Sequence, residues 1–136
     1  MSARNVRDAA LKVSKALPNG AAAVTSDSID TGVSSRGVQS YGWELLLTAP
    51  ALSTAQQPDA KTLTYDILGS DNADLSAPSV TVAGVIVQTG AGGTGAAGAT
   101  YRYRPTDNGP KHWGFKATGS ASGNSSTASA TLEMVF

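Results

Sequence analysis

The segment 90–95, GAGGTG, places Gly90, Gly92 and Gly95 at the three fixed positions of the glycine fingerprint found in dinucleotide-binding loops. That chemistry needs more than glycines. The loop must open a helix, whose N-terminus holds the pyrophosphate, and a carboxylate must follow about 20 residues on to take the ribose hydroxyl. Here the glycines follow an apolar, β-branched run and lead through AAGAT straight into YRYR. There is no room for a helix, and no carboxylate follows within a strand–helix–strand unit. Five of the nine residues from 90 to 98 are glycine, which is enough to generate the match by composition. A surface loop or hairpin tip of high backbone freedom is expected, with no cofactor.

The remaining candidates for chemistry are few. Asp27 with Asp30, and Asp71 with Asp74, are carboxylate pairs that could touch calcium. Neither supplies the roughly six to eight oxygens of a calcium loop, and Asp and Asn favour turns on their own account. His112 is the single histidine, so a His-rich metal site is excluded, and no cysteine offers a thiolate. A Ser-His-Asp triad would need an activated serine, yet no serine sits in G-x-S-x-G. His112 is expected to be exposed on a polar strand face. Tyr41 and Trp43 remain open as a stacking platform for a sugar or base. No catalytic, cofactor-binding or metal-binding residue is assigned, and the chain is not expected to be an enzyme.

Stepping from residues to the chain, 136 residues are enough for one domain with a single core. Ten basic and ten acidic residues give a formal net charge of zero, which argues against a nucleic-acid partner. The charge is unevenly spread. Residues 1–17 hold Arg4, Arg7, Lys12 and Lys15 against Asp8, a formal +3 (4 minus 1), and the rest carries −3 (6 minus 9). Such a basic arm either docks on an acidic protein surface, its own or another's, or is a solvated terminus. Nothing approaches the length of a membrane span or the apolar stretch of a signal peptide. The absence of cysteine fits assembly in a reducing cytosol.

The elements read as short strands between Gly, Ser, Asn, Asp and Pro. Candidates are 20–26, 43–48, 61–69, 79–88, 99–104, 111–117 and 126–136, with a bulge expected at Ala83–Gly84. In 61–69, Leu63, Tyr65 and Ile67 share one face, with Thr62, Thr64 and Asp66 opposite. The N-terminal stretch fits a helical stripe through Val6, Ala10, Val13 and Leu17 as well as it fits alternation. The predicted architecture is all-β: a jelly-roll-like antiparallel β-sandwich over 20–136, preceded by an N-terminal arm, 1–19, as strand or short helix. One hairpin is predicted by register, with 99–104 against 111–117, so that Tyr103 faces Trp113 and Tyr101 faces Phe115. That pairing makes the aromatic face core. It leaves Arg102, Arg104, Lys111 and Lys116 as a solvated face or a docking patch.

A series of patches from about residue 8 to 136 resembles the capsid cement, or decoration, proteins of tailed phages, in particular the Bordetella-phage type. The first is RDAALKVSKALPNGAAAVTSDSIDTG (7–32), ending in Ser28-Ile29-Asp30-Thr31-Gly32. The others are ELLLTAPAL (44–52), TLTYDILGSDNADLSAP (62–78) and KHWGFKATGSASGNSSTASATLEMV (111–135). Their order and spacing carry the likeness. The basic start, the glycine tract 90–98 and Trp43 depart from it. The resemblance implies a jelly-roll-like sandwich on the outside of an assembled head, made in the host bacterial cytoplasm. It also implies self-association, as a dimer or a trimer, and bridging of neighbouring major capsid protein subunits. An N-terminal part that is an extended strand or arm is implied too. On the charge asymmetry, Arg4, Arg7, Lys12 and Lys15 of the basic arm, with the exposed loops, are the expected capsid-contacting parts, with no nucleic-acid or membrane partner and no cofactor. The competing expectation is a carbohydrate-binding or host-attachment module working through Tyr41 and Trp43.

Overall fold

The computed structural model describes residues 11–31, 44–105, 109–120 and 123–135. Nine strands build it: β1 (Lys12–Ala16), β2 (Ala23–Thr25), β3 (Ile29–Asp30), β4 (Glu44–Ala49), β5 (Thr62–Ser70), β6 (Val80–Thr89), β7 (Ala99–Tyr103), β8 (His112–Gly119) and β9 (Ser129–Val135). Two antiparallel sheets result, one in the order β1-β9-β4-β7 and one in the order β2-β8-β5-β6, with β3 also on β8. Strands β2 and β3 are one strand with an interruption. Ser26 fills the gap: its N–H donates to Phe115 O (2.9 Å), and its hydroxyl accepts from the Phe115 N–H (2.9 Å). Counting the pair as one, the sheets read 1-8-3-6 and 2-7-4-5, the strand order of a jelly roll. The predicted sandwich is therefore what the chain forms. Of the two readings left open for the N-terminal stretch, residues 12–16 take the strand, paired along β9.

Alternation explains the layers. Leu45, Leu47 and Ala49 of β4 and Ala130, Leu132 and Met134 of β9 point inward from the first sheet. Leu63, Tyr65 and Ile67 of β5 meet them from the second, with Phe115, Ala117 and Trp113 of β8. The bulge falls where Ala83–Gly84 is. The β5–β6 register shifts between Tyr65 and Ile67, Gly84 has φ +63°, and its N–H donates to Asp66 Oδ1 at 2.8 Å.

The predicted hairpin of 99–104 with 111–117 does not form. Strand β7 pairs with β4 in one sheet, and β8 pairs with β5, β2 and β3 in the other. The aromatic faces still meet, because they pack across the core: the rings of Tyr103 and Trp113 are 5.8 Å apart and tilted by 51°. A register argument made from side-chain type could not tell a cross-strand neighbour from a cross-sheet one. The glycine tract likewise joins β6 to β7, passing from one sheet to the other.

Candidate functional site

The glycine loop is already occupied by the protein itself. Gly92, Gly93 and Gly95 all have positive φ, which only glycine adopts freely. The Gly93 N–H points at the Asp59 carboxylate, 2.9 and 3.2 Å from its two oxygens. The Thr54 hydroxyl donates to Gly93 O, and Gly90 and Ala96 exchange backbone hydrogen bonds with 60–61 and with Leu52. A Cβ at Gly90 or Gly95 would collide with backbone oxygens of Pro58 and Leu52 respectively. The spot that a phosphate would take in a nucleotide loop is filled by an internal carboxylate, and two of the glycines serve close backbone approach. The loop is pinned by segment 52–61, which the sequence reading did not connect to it.

His112 is buried, 8% exposed, and the expectation of an exposed histidine is corrected. It stands between Asp30 of β3 and Ser70 of β5 in the sheet, and Ser28 lies close by. The ring Nδ1 sits 3.3 Å from Ser28 Oγ, so a serine does lie beside the histidine. However, that hydroxyl donates its one proton to Ala73 O at 2.7 Å. The serine proton thus points at a carbonyl and leaves the hydroxyl to accept from the imidazole, the reverse of what a base-activated nucleophile requires.

The carboxylates behave as turn and ion-pair groups. Asp74 Oδ1 accepts from the Ser76 N–H (3.0 Å), and hydrogen bonding from Ser76 holds its carboxyl below the ordinary range. Asp30 Oδ2 lies 3.7 Å from Lys111 Nζ. Among the described residues, no group of three or more His, Cys, Asp or Glu is placed to hold a metal. No helix of the described residues is long and apolar enough to cross a membrane.

Surfaces are what the fold presents. On the outer face of the first sheet, Glu44 of β4 joins Arg102 (3.3 Å) and Arg104 (3.1 Å) beside it. The Arg102 guanidinium, with that of Arg104, pulls the Glu44 carboxyl below its ordinary value. Lys111 and Lys116 belong to the other sheet, so the four basic residues do not share one face. Between the second sheet and the β5–β6 connection is a depression of about 400 Å³, lined by Asp66, Leu68, Asp74, Leu75 and Lys116 among others. Leu75 and Ala77 take positive φ there, held by hydrogen bonds among Ser70, Asn72, Asp74 and Ser76. The sequence carried no sign of this feature beyond its turn residues.

Of the four basic residues singled out, Arg4 and Arg7 lie outside the described residues. Lys12 and Lys15 are on β1, an edge strand. Lys12 is on the outer face with Glu133 as its cross-strand neighbour, while Lys15 sits half-buried on the opposite face beside Ala130. Tyr41 and Trp43 also lie outside the described residues.

No family model matches the chain, and no curated protein matches it. Among solved structures, the chain is similar to one in the "Structure of infectious bursal disease virus Gt strain", at 12% identity and a TM-score of 0.35. The match covers 98% of this chain and 28% of that one, so the chain spans little more than a quarter of the length of that viral chain. The jelly-roll assignment stands on the strand order itself.

Proposed function

We propose that the protein is a capsid cement protein: a structural virion component that binds the outside of a tailed-phage head, bridges major capsid subunits and stabilises the shell. One observation supports this reading above the rest. The four patches that resemble cement proteins, 7–32, 44–52, 62–78 and 111–135, contain β1 to β5, β8 and β9, seven of the nine strands. They include the inner strands of both sheets, β9 and β4 in one and β8 and β5 in the other. Trp43 and the tract 90–98, which depart from the family, fall outside them, and the basic start overlaps only the first. The likeness thus covers most of what builds the sandwich.

The mechanism is mechanical and involves no catalysis. Each molecule buries surface across two or more shell subunits, so parting those subunits also requires breaking the cement contacts. Modest contacts suffice, because many symmetric copies act together. The test is co-sedimentation of the purified chain with matched undecorated heads, followed by heating or osmotic shock. Saturable binding and a raised release temperature are expected. Heads that neither bind the chain nor gain resistance would refute the reading.

A further inference from the structure

Two open sheets have four edges, and an edge strand is a template for another strand unless something guards it. Three of the four are guarded. Strand β1 carries Lys12 and Lys15, and β7 carries Arg102 and runs into Arg104. The β2–β3 edge is only three and two residues long and is flanked by Asp27 and Asp30. The fourth edge, β6, is different. It is ten residues long, VTVAGVIVQT, without charge or proline. Indeed no charged residue occurs from Leu75 to Tyr101. Its one irregularity is the bulge at Ala83–Gly84, after which Ile86–Thr89 runs in unbroken register with β5. Val87 on this strand is the exposed large apolar residue of the described chain, at 55%. Among the described residues the one side chain from outside the sheet that reaches its backbone is Gln57, whose Nε2 is 3.5 Å from Gln88 O.

We infer that β6 pairs antiparallel with β6 of a second copy, about a two-fold axis at Val87. In that register Val87 faces its own equivalent, Ile86 faces Gln88 and Val85 faces Thr89. Each copy contributes the same patch, as a two-fold interface requires. The choice of a second copy follows from charge. The other three edges and the basic N-terminal stretch carry ionic groups that need opposite charges across an interface, whereas a neutral β-branched strand is matched by itself. The pairing joins the two second sheets into one. It also sends the two glycine loops that follow β6 to opposite ends of the dimer, giving two identical ends for a bridging molecule. The inference deepens the self-association that the resemblance implies by assigning it to one edge, and it is tested on the purified chain alone, so its failure and a failure of head binding are separate results.

The chain has no cysteine, so a single introduced thiol reports on one position. Facing residues of an antiparallel pair have Cα atoms about 4.5–5.5 Å apart, within the range a disulfide spans. Under mild oxidation Val87→Cys is expected to form a covalent dimer roughly tenfold faster or more than Lys12→Cys or Arg102→Cys, on two of the other edges. Val87→Lys sets like charges face to face and is expected to weaken the dimer roughly tenfold or more by sedimentation equilibrium, with an unchanged far-UV spectrum. Since Val87 is exposed, neither change should unfold the chain, and the cross-linking result decides alone if the lysine variant does. A chain that is monomeric throughout the micromolar range would overturn the inference. So would a dimer that cross-links no faster at 87 than at the control positions, or β6 amides that gain exchange protection only when heads are added, which would give the edge to the shell.

Discussion

Gln88 sits on the core-facing side of β6 and spends every polar atom of its side chain inside the protein. Its Oε1 accepts from the Tyr65 hydroxyl at 2.8 Å, and its Nε2 donates to Pro50 O at 2.7 Å and Ala97 O at 2.8 Å. One amide thereby ties the second sheet to the segments that lead out of β4 and into β7. Burial also pushes the Tyr65 phenol well above its ordinary pKa, so the hydroxyl stays a donor at any working pH. A buried group left without its partner costs about 1–3 kcal/mol. Gln88→Leu is expected to lose about that much in urea unfolding, and Tyr65→Phe somewhat less. The double variant should cost less than the sum, because each single change strands the other's partner. Steric fit gives a second test. Gly69 lies opposite Trp113, and a Cβ there would come to 2.6 Å from Pro110 Cγ and 2.8 Å from the indole. The ring has no room to yield in a packed core, so Gly69→Ala should destabilise by about 1–3 kcal/mol, read as a lower urea midpoint at unchanged slope. Nothing in the sequence marked Gln88 or Gly69. A glutamine in an apolar run and a glycine at a strand end become informative only when the neighbours from other strands are known.

At the scale of elements, alternation was a sufficient guide wherever one face of a strand met the core. The seven strand candidates all correspond to strands, and Leu63, Tyr65 and Ile67 are buried as their spacing required. Strand β3 escaped notice because two residues cannot show a period. Pairing was harder to read, since antiparallel neighbours in a jelly roll are far apart in sequence and turn residues announce a reversal without naming the partner. The tract 90–98 crosses between sheets, and β7 and β8 belong to different sheets, where a hairpin was the simpler guess. Burial of His112 was illegible for the same reason: its neighbours Ser28, Asp30 and Ser70 all lie more than forty residues earlier. The pairing of β4 with β7 brings Glu44 to Arg102 and Arg104, and this has a pH signature. The Glu44 carboxyl is held below 4.5 by Arg102 first, so the contribution of the cluster is whole above that value and lost as pH falls through the depressed one. Acid titration of unfolding should therefore show a decline that Glu44→Gln makes shallower. Equal slopes in the two proteins would mean that the cluster, exposed as it is, contributes nothing measurable.

For the whole molecule, β1 pairs with β9 and β2 with β8, so the first sheet is complete only once β9 has formed and the second only once β8 has. Folding dominated by such distant pairings is slow, and refolding on a scale of about milliseconds to seconds is expected by stopped-flow fluorescence of the tryptophans. The same closure bears on the basic N-terminus. Residues 12–16 are fixed to β9, which puts Lys12 and Lys15 at an edge of the first sheet, while β6 is an edge of the second. If β6 holds two copies together, the β1 strands with Lys12 and Lys15 lie apart from that contact, free to reach separate shell subunits under the cement reading. Replacing Arg4, Arg7, Lys12 and Lys15 by glutamine is then expected to weaken head binding and to flatten its dependence on salt, since exposed charges act mainly on association rate and are screened within about 10 Å at 0.1 M ionic strength. Dimerisation through Val87 should be unaffected by those four changes. Head binding with an unaltered salt slope would remove the basic segment from the contact and leave the loops, above all the pinned glycine tract, to make it.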